Sequence, residues 1–297
     1  MSFITNIRSV AKYESKILVR SWFFRIFTLL AVVFLGFFNF AMMLMEDNFG
    51  LWFVKAVSSN IPYLNLLLLN TGQAVVAVFL SSEFLKRDKK LDTSEVFYVR
   101  PLSNAEYVVG KIWGNLRVFL LLNLLVLTIV LAFNFMASGI AVDLPAYGVY
   151  FLLISIPTLI FIIGLSIFLM LLLRNQALTF ILLLGYIGLT LFYIQDKFYY
   201  LFDYMVYNLP LFKSTIVGFS SLELILNHRA IYFFAGLGFI FFTIFLFKRL
   251  PNARRSHYPW LFLSLCMFLL AGTAGFRHVR SILREGEMRA LYTSIQH

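Results

Sequence analysis

Long apolar runs separated by polar stretches of unequal length set the pattern of this chain. They cover 26–45, 61–82, 118–137, 147–173, 177–195, 230–247 and 258–276. Each is close to the ~20 mostly apolar residues that carry a helix across a hydrocarbon core of about 30 Å. The pattern therefore predicts an all-α, polytopic transmembrane helical bundle. It has a six-span core over 26–247, then a basic loop, a seventh span and a tail over 248–297. Residues 1–25 precede the first run and differ in kind. At ~100° per residue, Arg8, Lys12, Lys16 and Arg20 form a basic stripe, and Phe3, Ile4, Ile7, Val10, Ile17 and Leu18 fill the opposite arc. This predicts an amphipathic helix lying in the membrane plane, apolar side in the acyl boundary and basic side toward anionic head groups, with membrane lipid as its partner. Glu14 falls inside the apolar arc. It needs a partner, for instance a basic residue of the next polar block, or must snorkel out, so the segment reads either as an anchor helix or as a contact element.

The longest polar interruption of the first half is 83–117. It carries two helix-start signals, Asp92-Thr93-Ser94-Glu95 and Ser103-Asn104-Ala105-Glu106, each a capping residue followed three positions later by Glu. The first predicts a short helix from Thr93 to about Val99, stopped before Pro101. That helix presents Val96, Phe97, Tyr98 and Val99 where no lipid is expected, and an exposed apolar patch of this kind marks an interaction surface. The second predicts a helix running through Lys111 and Arg117 into the third span. Between the fifth and sixth spans, 196–229 is too long for a turn and rich in aromatic residues. By itself that density reads as an interfacial belt.

Composition agrees with the pattern: 61% of the residues are hydrophobic and only 13% charged, against roughly a quarter charged in soluble domains. Mean hydropathy is +0.86. The net charge of +11 is not a nucleic-acid footprint. Lys and Arg gather on one set of loops, the asymmetry that keeps cationic loops cytoplasmic, and this predicts a cell (plasma) membrane protein with a cytoplasmic N-terminus. The basic tail after the seventh run fits that topology badly. The N-terminal run has no cleavage pattern and is predicted to be retained. Cys266, the single cysteine, excludes a disulfide framework and reads as a small buried hydrophobe.

Enzymatic chemistry finds no foothold. Around Gly110-Lys111, Ala105 replaces the first glycine and Ile112 the hydroxyl residue of a phosphate loop. The four histidines are scattered without metal-ligand spacing, so no metal site is predicted. The seven runs contain no acidic or basic residue, which argues against an ion-coupled carrier. They contain Asn39, Asn65, Asn70, Gln73, Asn123, Ser155 and Ser166 instead. Asn65, Asn70, Gln73 and Asn123 are candidates either to line a translocation path or to tie helices together. Pro157 predicts a bend in the fourth span.

An in-plane basic helix, six spans, and a cytoplasmic turn carrying Glu83, then Pro101, Ser103, Gly110 and Lys111 within RPLSNAEYVVGK, resemble the type-2 ABC exporter permeases. The resemblance covers roughly residues 4–248, and the seventh run departs from it. It implies a permease working as a dimer with a second copy or homologue, and a separate ATP-binding cassette subunit that holds ATP and Mg, with no cofactor in this chain. It implies ATPase-coupling roles for Glu14, Glu83, Thr93, Glu95, Phe97, Tyr98, Arg100, Pro101, Ser103 and Lys111, with Phe97 and Tyr98 as buried anchors. It also implies that 196–229 forms a pair of short re-entrant helices. Larger permeases of similar kind continue into an extracytoplasmic domain, which would suit the end of the sequence at His297. The rival readings are a membrane anchor or scaffold belonging to a longer protein, and a secondary transporter driven by an ion.

Overall fold

The computed structural model describes residues 3–44, 59–82, 102–136, 142–194, 197–207, 209, 211, 213–214, 218–219, 221–247 and 258–295. The coupling candidates Glu83, Thr93, Glu95, Phe97, Tyr98, Arg100 and Pro101 lie outside them.

The described residues form a helical bundle. Helix α1 spans Phe3–Arg20, α2 Trp22–Leu44, α3 Asn60–Ser82, α4 Asn104–Met136, α5 Leu144–Leu173, α6 Gln176–Ile194, α7 Leu222–Leu246 and α8 Tyr258–Ile295. All but α1 are long and apolar enough to cross a membrane, seven among the described residues. The chain is a multi-pass helical membrane protein.

Packing follows the neutral polar and small residues, because apolar side chains gain little by leaving lipid for protein. Helix α3 is the hub, touching α2, α4, α5 and α6. It is tied to α2 by a reciprocal amide pair, Asn39 Nδ2 to Asn65 Oδ1 at 2.7 Å and Asn65 Nδ2 to Asn39 Oδ1 at 3.1 Å. Helices α5 and α7 cross where Gly164 meets Gly236. A Cβ on Gly236 would stand 2.7 Å from Phe161 N, and one on Gly164 2.7 Å from Gly236 O, so backbone lies on backbone. Helix α8 packs along α7, with Ser264 Oγ donating to Gly238 O at 2.9 Å. The outward sides of α2 and α8 leave Leu29, Val33, Phe37, Phe262, Leu269 and Phe276 exposed, as lipid-facing positions require.

Two parts of the chain are irregular. In α5 a widened π-helical turn, Phe151–Ser155, stands just before Pro157. Pro157 has no N–H to give Leu153 O, the carbonyl one helical turn back, and the irregular turn lies in the residues before it. Between α6 and α7 no pair of short helices is present among the described residues. The segment holds a 3₁₀ turn, Phe198–Tyr200, and a two-residue antiparallel ladder pairing β1 Lys213–Ser214 with β2 Gly218–Phe219. Tyr204, Met205, Val206 and Leu211 are fully buried, and burial pushes the Tyr204 phenol well above its ordinary range, so it stays neutral. Helix α7 then begins at Leu222, eight residues before the apolar run starts at Ala230, because Glu223, Asn227, His228 and Arg229 conceal a helix from a hydropathy count.

Candidate functional site: the clasp between α1 and α4

Helix α1 turns part of its apolar arc onto protein, while Phe3 and Ile4 stay exposed. Val10, Ala11 and Leu18 are buried, and α1 packs chiefly along the first turns of α4. Glycine makes the approach possible. Gly110 and Gly114, one turn apart on α4, leave the groove: a Cβ on Gly110 would lie 2.7 Å from Val10 Cβ, and one on Gly114 2.8 Å from Ala11 O. The acid inside the apolar arc meets its partner in this contact. Glu14 Oε1 stands 3.1 Å from Lys111 Nζ, with both side chains almost wholly excluded from solvent. Unpaired, either charge would carry a desolvation penalty of several kcal/mol; together they fix the register of α1 on α4. Lys111 also lies over the Tyr107 ring, 5.0 Å from its centroid.

Further hydrogen bonds complete the contact at both ends. Ser15 Oγ donates to Gly114 O at 2.7 Å, Arg117 Nε donates to Ser15 Oγ at 2.6 Å, and Arg117 Nη2 reaches Ala11 O at 3.2 Å. At the start of α4 the capping box forms as its spacing predicts: Glu106 N donates to Ser103 Oγ at 3.2 Å and Ser103 N to Glu106 Oε2 at 2.6 Å. The other oxygen, Glu106 Oε1, accepts from Asn6 Nδ2 at 2.8 Å, so the cap that starts α4 also holds the beginning of α1. Asn104 Nδ2 donates to Phe247 O at 2.9 Å, and Tyr107 stacks on Phe247 with ring centroids 5.5 Å apart. The clasp thus extends to the end of α7. The basic stripe of Arg8, Lys12, Lys16 and Arg20 remains exposed.

Of the coupling candidates among the described residues, the structure brings Glu14, Ser103 and Lys111 into this one contact. Asn6, Ser15, Glu106 and Arg117 join them. Glu106 was visible as part of the capping box, and the spacing Gly110-x-x-x-Gly114 was a further signal of a close helix contact. Asn6, Ser15 and Arg117 had no local signature.

The polar residues of the spans form a second, interior network. Asn70 Nδ2 donates to Asn123 Oδ1 at 2.9 Å, Ser155 Oγ to the same oxygen at 2.9 Å, Asn123 Nδ2 to Gln73 Oε1 at 2.8 Å, and Gln73 Nε2 to Phe119 O at 3.0 Å. With Asn65 they are buried, and they tie α2, α3, α4 and α5 to one another.

A third polar group corrects the sequence reading outright. His228 and Arg229, assigned to an outer loop, lie inside α7 and are buried, so one span does contain a basic residue. His228 and His278, far apart in sequence, face each other with ring centroids 5.0 Å apart. Each hydrogen-bonds the 3₁₀ turn through Nε2, His228 to Tyr200 O at 3.0 Å and His278 to Tyr199 O at 2.9 Å. Among the described residues no group of three or more His, Cys, Asp and Glu is placed to hold a metal ion.

These features define a class, the multi-pass helical membrane protein with a helix clasped beside the spans. No family model, curated protein or solved structure matches the chain.

Proposed function

We propose that the chain is the membrane-spanning permease subunit of an ATP-driven exporter of the type-2 ABC kind. In this reading it sits in a cell membrane with a cytoplasmic N-terminus and works as a dimer with a second copy or a homologue. A separate ATP-binding subunit supplies the hydrolysis and holds ATP and Mg. The observation that carries the reading is the clasp, since Glu14–Lys111 and the Gly110/Gly114 groove join α1 rigidly to α4, directly after the polar block of 83–101. A displacement of α1 would reach α4 with little slack, and Asn123 would pass it to α3 and α5 through its hydrogen bonds. Closure of an ATPase pair would push on this lever, with Phe97 and Tyr98 as anchors in the partner's groove, aided by Thr93, Glu95, Arg100 and Pro101. The spans would tilt and switch the access of an amphiphilic substrate site.

The feature that favours an ion-coupled carrier is Arg229 within α7. Its guanidinium is engaged by protein oxygens on several sides, which fits a tie better than a mobile relay, and this keeps the exporter as the preferred reading. The test is affinity capture of the tagged chain from its own host in mild detergent, with mass spectrometry of what accompanies it. An ATP-binding subunit is expected with the wild-type chain and is expected to be lost with Phe97→Asp, which would bury a charge in the partner's groove, while membrane insertion persists. Repeated capture of the intact, folded chain without an ATPase would overturn the reading.

A further inference from the structure

The contacts of Arg229 form one unit. From α7 its Nε donates to Leu153 O at 2.6 Å and its Nη2 to Thr158 Oγ1 at 2.9 Å and, more loosely, to Ile154 O at 3.5 Å. Its Nη1 donates to Tyr204 O at 2.9 Å. Of the first three acceptors, Leu153 O and Ile154 O belong to the irregular turn of α5 and Thr158 Oγ1 to the regular helix just after it, and Leu153 O is the carbonyl to which Pro157 returns no N–H. The fourth belongs to the buried loop between α6 and α7. A guanidinium suits this task because its planar fork carries five donors. Carbonyl oxygens left bare in a membrane interior are costly, because no water is there to satisfy them.

The loop needs such a hold. Phe198, Tyr199, Tyr200 and Val206 adopt left-handed backbone, φ 53°, 58°, 61° and 65°, which is strained for side-chain-bearing residues and most of all for β-branched Val206. It runs deep: Tyr63 Oη donates to Val206 O at 3.2 Å, and the Tyr207 hydroxyl meets Thr71 Oγ1, three turns into α3. Thr158 Oγ1 itself donates to Tyr204 O at 3.3 Å, closing a ring of Arg229, Thr158 and Tyr204.

We propose that Arg229 is a latch joining the irregular turn of α5 to the buried loop, so that the two release and re-form as one cooperative unit. Strained backbone and a break in helical hydrogen bonding each favour local opening; sharing one guanidinium makes the opening of either expose the acceptors of both. The proposal concerns the mechanics of this end of the bundle and does not rest on the exporter reading.

The test is hydrogen–deuterium exchange of the full chain in nanodiscs, following amides of 151–156 and 203–207 with those of α3 as reference. In the wild type the two segments are expected to open with the same constant, within about threefold, well above that of α3. In Arg229→Gln both are expected to exchange about tenfold faster or more, and no longer in step. Pro157→Ala supplies the missing N–H to Leu153 O, so the Pro157→Ala/Arg229→Gln chain guards against a single variant that fails to fold. There the loop is expected to stay fast while the α5 turn regains protection. Unequal opening in the wild type, or an Arg229→Gln chain in which only one segment or neither changes, would overturn the latch.

Discussion

Lys111 and Glu14 illustrate how an isolated residue becomes legible only with its partner. An acid in the apolar arc of α1 is an anomaly until Lys111 stands 3.1 Å from it. Removing one member leaves the other charged and buried, so Lys111→Met is expected to destabilise the protein by about 3–5 kcal/mol. Pairing it with Glu14→Leu is expected to restore most of that loss, since a well-packed apolar pair often replaces a buried ion pair at little cost. Thermal unfolding of the wild type and the two variants in one detergent checks this; a double variant no more stable than Lys111→Met would mean that the contact depends on more than charge pairing. Ser103 acts on a smaller scale, because its loss leaves Glu106 N without its cap. Ser103→Ala is expected to cost about 1 kcal/mol in the same assay.

Among elements, the decisive contacts are those where glycine lets two helices touch. On α4, Gly114→Val would drive a branched side chain into Ala11 O, and α1 cannot yield without losing the Glu14–Lys111 register. The variant is expected to release α1, seen as faster proteolysis near Lys12 and Lys16 while the spans stay intact. At the α5–α7 crossing the obstacle is backbone on both sides, so Gly236→Val is expected to impair folding of the bundle itself, at a cost at the upper end of the ~1–3 kcal/mol seen for overpacked sites or beyond it. Unchanged thermal stability for Gly236→Val would show that α5 and α7 are less closely apposed. The difference between the two outcomes, one peripheral helix freed and one core crossing lost, follows from where each element sits.

For the molecule as a whole, seven helices are long and apolar enough to cross, and if all seven do so, α1 and the end of α8 are expected on opposite sides of the membrane. In a Cys266→Ala background, cysteines replacing Lys12 and Arg284 are expected to react with an impermeant maleimide from opposite faces of oriented vesicles. Reaction from the same face would show that α8 does not complete a crossing. The number and type of the spanning elements were readable from hydropathy, because lipid tolerates only long runs of apolar residues in hydrogen-bonded backbone. The start of α4 was equally readable, since a capping box needs only four consecutive residues to satisfy free N–H groups. What hydropathy could not reveal was any element whose polarity is neutralised at a distance. Helix α7 was cut short because His228 and Arg229 look solvated until carbonyls from α5 and the buried loop surround them. Helix α1 stayed open between lipid anchor and contact element because the sequence points to the next polar block for Glu14's partner without singling out Lys111. Local sequence determined which segments are helices and which are apolar, as these depend on neighbours within a turn or two. Only the tertiary structure decided where the charges go, because the cost of burying a polar group is set by the partner that meets it and that partner comes from another element.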